Sequence, residues 1–416
     1  MSIFHGRFAP LQIRDFRFYL AGRFFYTIAY LVQSVITGIY IYDLTKRPLD
    51  LGLSGLFEAV AAISMALVAG NIVDRSNKNR LVIIALSGLG LSALISWLYM
   101  LNADTLFPIY GVWPLYLAMV VNGLSRAFLG PCTFSIVTKI MPKSLYLSAS
   151  PIDTSSWQIA AVTGPAMGGI LYGIIGSANT MLLSVMFYLL AIAMLALIKI
   201  RVNGDKSKRL FDREEFFKGV KFIFNNKMIL SAMSLDMFAV LFGGAIALLP
   251  VVAKDILQVG SSGLGILRAA PAIGSGLMGL LLTTLPPIKR GGRLMVFCII
   301  GFGLATVVFG LSTNFYLSWL MLFLTGAFDN ISVIVRSTVL QMFTPEELRG
   351  RTSSVRSMFI ISSNEIGAFE SGLTAQLMGT TSAIVFGGVM SILIAVIALR
   401  KARELMALDF DKLGQS

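Results

Sequence analysis

Apolar residues in this chain do not alternate with polar ones; they run in long blocks separated by short polar turns. A bilayer core about 30 Å thick asks for roughly 20 apolar residues per helix, and blocks at 17–42, 51–73, 81–101, 113–138, 154–176, 179–199, 229–253, 262–285, 294–311, 316–340, 354–378 and 381–399 meet that length. The pattern predicts an all-α membrane protein with twelve transmembrane helices. The first block is not expected to be a cleaved signal, since Phe16 to Tyr42 is too long and no small-residue cleavage site precedes the next span. One polar connection is long. Within 201–227, Phe216, Phe217, Val220, Ile223 and Phe224 recur at helical spacing opposite Glu214, Glu215, Lys218 and Lys221, which predicts an amphipathic helix at the membrane surface. It reads as a linker between two halves, with a regulatory role as the alternative. The expected organisation is an N-terminal six-helix bundle (1–200), a cytoplasmic linker with an amphipathic helix (201–228) and a C-terminal six-helix bundle (229–416).

Composition sharpens this. Of 416 residues 56% are hydrophobic and 13% are charged, against about 25% charged in soluble domains, so no water-facing surface can be built. The net charge of +13 would otherwise suggest nucleic acid; here it reports unequal loops. Loops on the N-terminal side, with both tails, hold 26 of the 34 Lys and Arg, and the opposite side holds Lys46, Arg47 and Lys254. The positive-inside bias therefore puts both termini in the cytoplasm of an inner-membrane protein. The remaining five, Arg23, Arg126, Arg268, Arg336 and Arg356, lie within or at the ends of spans. Cys132 and Cys298 are in apolar runs and His5 stands alone, so neither a disulfide scaffold nor a zinc site is expected. Neither a phosphate-binding P-loop nor a G-x-S-x-G elbow is present. No cofactor and no enzymatic activity are expected, and the energy source is expected to be a gradient or a partner.

The two halves repeat. An offset of 203 carries Pro142 onto Pro345, Gly164 onto Gly367 and Gly169 onto Gly372, and an offset of 210 aligns LSGLFEA (53–59) with GLGILRA (263–269). On these offsets three charges invert in sign: Glu58 falls on Arg268, Arg126 on Asp329 and Asp153 on Arg356. A charge inside a bilayer costs roughly 2.5–3.5 kcal/mol at mid-helix even on lenient scales, so each needs a partner or a watery cavity. Two readings follow, pairs between halves or in a cavity that change during transport, and static pairs that fix packing.

Three motifs follow in order. GNIVDRSNKNR (70–80) makes a charged turn with Gly70, Asp74, Arg75, Lys78 and Arg80, where Asn77 is expected to supply a left-handed residue. SRAFLG (125–130) sets Arg126 deep in a span. In GPAMGG (164–169), Pro165 leaves the Ala161 carbonyl free, and Gly164 and Gly168 offer a face without side chains for a kink and close helix contact. Together these resemble motifs A, B and C of the major facilitator superfamily, the last characteristic there of drug:proton antiporters. The resemblance spans about Arg14 to Arg400. LLPVVAKDIL (248–257), LGILRAAPAIG (264–274) and LQMFTPEELRGR (340–351) resemble the enterobactin exporter group and related macrolide and multidrug exporters. The chain departs from the usual motif A at Asn77 and Asn79, and from motif B at Leu129.

The resemblance implies a major facilitator fold, two pseudo-symmetric six-helix bundles that rock about a central site, with the first, fourth, seventh and tenth spans lining the cavity. That implies Tyr26, Tyr30, Gln33, Asn122, Arg126, Asp236, Asp329 and Asn330 as lining residues, joined by Asn364, Glu365 and Glu370. The acids Asp329, Glu365, Glu370, Asp236 and Glu58 have two readings, proton carriers or packing pairs; Arg126 is expected as a counter-charge or an anion anchor, and Arg268 as part of the same pathway. The conformational gate is expected to involve Gly70, Asp74, Arg75, Arg80, Asp153, Arg356, Gly164, Pro165, Gly168 and Gly169. The expected partners are an amphipathic small molecule (drug-like or a siderophore), protons and the lipid bilayer, with no nucleic acid, and a monomer is the expected working unit. Uptake, uniport and lipid flipping on the same fold stay open as alternatives to export.

Overall fold

The computed structural model describes residues 8–200, 202, 213–286, 288–345, 348–406 and 408, and the long elements among them are helices. They are α1 (Arg14–Thr45), α2 (Pro48–Arg75), α3 (Lys78–Leu101), a short α4 (Ala103–Tyr110), α5 (Trp113–Ile140), α6 (Tyr146–Ala196), α7 (Arg213–Asn225), α8 (Lys227–Phe242), α9 (Gly260–Thr284), α10 (Gly291–Leu311), α11 (Phe315–Phe343), α12 (Arg349–Met378) and α13 (Thr380–Lys401). Among the described residues ten helices are long and apolar enough to cross a membrane. One of these, Ser148–Ala196, has 49 residues and breaks at Gly176 (φ 83°, ψ 172°), so it supplies two spans. α12 is 30 residues long but carries Arg356, Asn364, Glu365 and Glu370, which dilute its hydropathy. With both counted, the twelve expected spans are present.

Local chemistry explains the ends. Asn77, Asn226 and Asn314 precede α3, α8 and α11, and each side-chain oxygen accepts a backbone N–H of the first turn, from Arg80, Ile229 and both Tyr316 and Leu317. That corrects the left-handed expectation for Asn77: an N-cap needs extended backbone, and Asn77 has φ −70°, ψ 110°. Positive φ among the described residues falls at Lys46, Gly111, Gly176, Gln258, Gly260 and Gly379, in the connections at the opposite end of the spans.

The helices form two compact units. Unit 1 holds the described residues of Met1–Leu44, Phe57–Phe211 and Ser261–Gly265; unit 2 holds those of Thr45–Leu56, Asp212–Gly260 and Ile266–Ser416. The core of unit 1 is built on Phe16, Tyr19, Ile36, Leu86, Leu89, Ile136, Met181 and Tyr188. That of unit 2 gathers Ile229, Met295, Val296, Val335, Val339 and Ala395, and α7 contributes Ile223 to it while Phe224 is exposed. Large apolar side chains such as Ile84, Phe134, Ile174 and Leu377 are exposed, as lipid-facing positions must be.

Close helix contacts fix the repeat. In unit 1 a Cβ on Gly123 would lie 2.2 Å from the Glu58 carbonyl, and in unit 2 one on Gly326 would lie 1.9 Å from that of Pro271. Gly169 meets Ser261 and Gly265 within unit 1, as Gly372 meets Pro48 and Gly52 within unit 2. An offset of 203 thus relates Gly123 to Gly326 and Gly169 to Gly372, while 213 relates Glu58 to Pro271, Pro48 to Ser261 and Gly52 to Gly265. The alignment of the second helices at 210 is corrected by three residues, and the equivalence of Glu58 with Arg268 falls with it. The ten residues by which the offsets differ lie between these helices. Unit 1 joins α3 to α5 through 102–112, which includes α4, where unit 2 joins α10 to α11 through 312–314.

Candidate functional site

In unit 1 the crossing of α2 and α5 is tight because Gly123 has no side chain to hold the helices apart. Three residues further along α5, Arg126 forms an ion pair with Glu58 of α2. Tyr30 of α1 closes the group: its hydroxyl donates to Glu58 Oε1 (3.3 Å) and its ring lies under the Arg126 guanidinium, 4.5 Å from centroid to Cζ. Cation–π contact and a charge-assisted hydrogen bond together hold a charge where an apolar wall alone would reject it. The Arg126 side chain retains 31% of its exposure, against 9% for Glu58. Asn122, one turn before Arg126, is buried, and its Oδ1 has no hydrogen-bond partner among the described residues.

Gln33, three residues after Tyr30 on α1, is fully buried. Its Oε1 accepts from the Tyr188 hydroxyl (3.0 Å) and its Nε2 donates to Ser92 Oγ (2.9 Å), which donates on to the Ala118 carbonyl (2.7 Å). Arg23 of α1 pairs with Asp153 of α6 and donates to the Tyr19 hydroxyl; Tyr26 lies against Arg23 and Thr133. Spacing alone could not identify Arg23 as the partner of Asp153, although it had marked both as membrane charges. At the helix ends, Asp15 Oδ2 accepts the backbone N–H groups of Lys199 and Ile200. Asn79, the departure from motif A, donates to the Ile200 carbonyl and accepts from Val202 N–H.

Unit 2 carries a different arrangement. Asp236 of α8 pairs with Arg336 of α11, both side chains almost sealed at 5% and 7% exposure. Arg356 of α12 donates to Ser337 Oγ (2.9 Å). Asn330 donates to Ser275 Oγ (2.9 Å), and its Oδ1 is buried without a partner among the described residues. Asp329 beside it is half-buried on α11, as are Glu365 and Glu370 on α12 and Arg268 on α9, while Asn364 is exposed. Glu365 Oε2 reaches to 3.7 Å from where Gly55 would carry a Cβ. The three ion pairs named, Arg126–Glu58, Arg23–Asp153 and Arg336–Asp236, each lie within one unit.

Of the expected gate residues, Gly164 and Gly168 pack on Leu31, Ile28 and Val32 of α1, and Gly169 on backbone at Ser261–Gly265. A Cβ at Gly70 would meet nothing within 4 Å. Arg75 ends α2, Arg80 lies in the first turn of α3, and Pro165 sits inside α6. The side chain of Asp74 lies outside the described residues.

Twelve apolar spans with charged side chains paired inside them describe a multi-pass membrane protein, and the family that the chain matches makes it a transporter of the major facilitator type. The chain belongs to the transmembrane secretion effector family, which matches residues 5–413. It is 24% identical over 399 residues to the enterobactin exporter EntS of Shigella dysenteriae serotype 1 (strain Sd197), covering 94% of this chain and 93% of that protein. The match to EntS of Escherichia coli O81 (strain ED1a) has the same identity and coverage. Solved structures share the fold. A POT family transporter in complex with 5-aminolevulinic acid superposes with a TM-score of 0.74 at 11% identity, covering 94% of this chain and 96% of that one. The nucleoside transporter NupG superposes at 0.73 with 12% identity, covering 93% and 99%. A bacterial homologue of the lysosomal transporter Spinster, inward-facing and occupied, gives 0.71 at 15% identity, covering 92% and 96%.

Proposed function

We propose that this secondary transporter exports an amphipathic small molecule, drug-like or a siderophore, in exchange for protons, from an inner membrane in which both termini face the cytoplasm. The observation that carries the reading is the open ion pair of unit 1. Arg126 keeps 31% of its side-chain exposure while bonded to Glu58 and stacked on Tyr30, so an anionic group or a proton can compete for one member without unburying the other. The Asp236–Arg336 pair, at 5% and 7%, offers no such access and acts as a packing pair. Export rather than uptake is favoured by the GPAMGG motif packed on α1, by the family description and by the name of the enterobactin-exporting relatives. A charge moved down the membrane potential supplies about 2.3 kcal/mol per 100 mV, enough to drive accumulation. The working unit is a monomer.

The test is purified protein in liposomes containing a pH-sensitive dye, challenged with amphiphiles and catecholate siderophores. Arg126→Gln and Glu58→Gln each lower transport at least about thirty-fold, the equivalent of roughly 2 kcal/mol for unpairing a partly buried charge. Substrate crossing without proton movement makes the protein a uniporter. No crossing over a broad panel ends the exporter reading.

A further inference from the structure

The polar seam behind the ion pair has no place in charge exchange, yet the amide at its centre is fully buried and bonded at both ends. Gln33, Ser92 and Tyr188 have no exposed surface. Their hydrogen bonds run from Tyr188 on α6 to Gln33 on α1, to Ser92 on α3, and end on the Ala118 carbonyl of α5. One chain of three bonds thus ties four helices. Two of those helices carry the stack: Tyr30 lies three residues before Gln33 on α1, and Arg126 eight residues after Ala118 on α5. Residues three apart share a helix face, so whatever fixes the rotation and depth of α1 at Gln33 also fixes the Tyr30 ring. Apolar contacts between helices in lipid lack a hydrophobic driving force and permit sliding, whereas a directional amide bracket does not.

We infer that Gln33 is a positioning residue: held at both ends of its amide, it sets α1 so that the Tyr30 ring stays on Arg126 and its hydroxyl on Glu58. It does not touch substrate. The inference rests on the reading of Arg126 as the working group only for its consequence in transport; the placement of Tyr30 is tested without it.

The direct readout is the rate at which phenylglyoxal modifies Arg126 in the purified protein, followed by peptide mass spectrometry, with Arg23 and Arg336 as internal controls. Gln33→Leu leaves the Tyr188 hydroxyl without its acceptor and can destabilise the fold, so it is paired with Tyr188→Phe; removing both partners of a buried bond is nearly neutral. The double variant is expected to melt within a few degrees of wild type, to label Arg126 about five-fold faster, and to leave Arg23 and Arg336 unchanged. In a Tyr30→Ala background, already fast, the same pair of changes adds nothing. The transport counterpart is a KM about five-fold higher for ethidium or enterobactin, whichever is carried, at a maximal rate within about two-fold, since one lost bracket is worth about 1 kcal/mol. An unchanged Arg126 rate in the double variant overturns the inference. So does an equal acceleration at all three arginines, which marks general loosening, or an undiminished effect on the Tyr30→Ala background. Transport that survives Arg126→Gln, with the labelling result intact, fails the export site and leaves the positioning role standing.

Discussion

The crossing of α2 and α5 can be tested with one methyl group. In Gly123→Ala the new Cβ would stand 2.2 Å from the Glu58 carbonyl oxygen and 3.0 Å from Ala61 Cβ, where ordinary contact begins at 3.4 Å. The obstacle is backbone, so the helices must part by about 1.2 Å, the difference between those distances. Hydrogen bonds to charged groups hold at about 2.7–2.9 Å, so a shift of that size at Glu58 opens its pair with Arg126. Overpacking of this kind costs about 1–3 kcal/mol, against which the better helix propensity of alanine returns at most about 1 kcal/mol. The control lies two turns along the same helix. A Cβ at Gly130 meets nothing within 4 Å, so Gly130→Ala melts no lower than wild type and keeps its transport rate. Melting in detergent, together with dye-coupled transport in liposomes, compares the two variants. Gly123→Ala is expected to melt about 5 °C lower and to lose most transport. Should both alanines melt and transport alike, the close approach does not hold the ion pair.

Two further outcomes follow from the geometry. Arg336→Leu strands a buried Asp236 and destabilises unit 2 by about 3–5 kcal/mol, while Asp236→Leu with Arg336→Leu returns to within about 1 kcal/mol of wild type; thermal melting of the three proteins decides, and a double variant as poor as the single contradicts the packing role. Asn77→Ala loses about 1 kcal/mol of melting stability and Asn77→Ser nearly none, because serine also caps helices; a glycine variant more stable than asparagine would return the residue to left-handed geometry.

The spans were legible in the sequence because a bilayer demands about twenty apolar residues whatever the packing, and the glycines of the repeat because nothing else permits backbone contact. The register between the second helices was not. Three residues is close to one helical turn, so sliding GLGILRA by that amount leaves the apolar stripe almost unchanged, and the backbone that Gly123, Gly169, Gly326 and Gly372 touch sets it. The sequence marked Arg23, Arg126 and Arg336 as membrane charges but not their partners, which come from other helices at crossings no local pattern encodes. Gln33 could be placed on the first span from sequence; that both ends of its amide are occupied by Ser92 and Tyr188 depends on three helices meeting. Asn77 was recognised as a turn residue with the wrong geometry, since asparagine serves both left-handed and capping positions.

The connection through α4 gives the protein a natural handle. Unit 2 makes the same passage with 312–314 alone, so the extra residues around Ala103–Tyr110 are not needed to turn the chain, and α4 itself has no buried residue. Ile109 and Tyr110 near its end are 70% and 56% exposed. A short epitope spliced there disturbs no core, and comparing antibody access to it and to tags at either terminus on spheroplasts, before and after the membrane is opened, would report the sidedness of every loop at once.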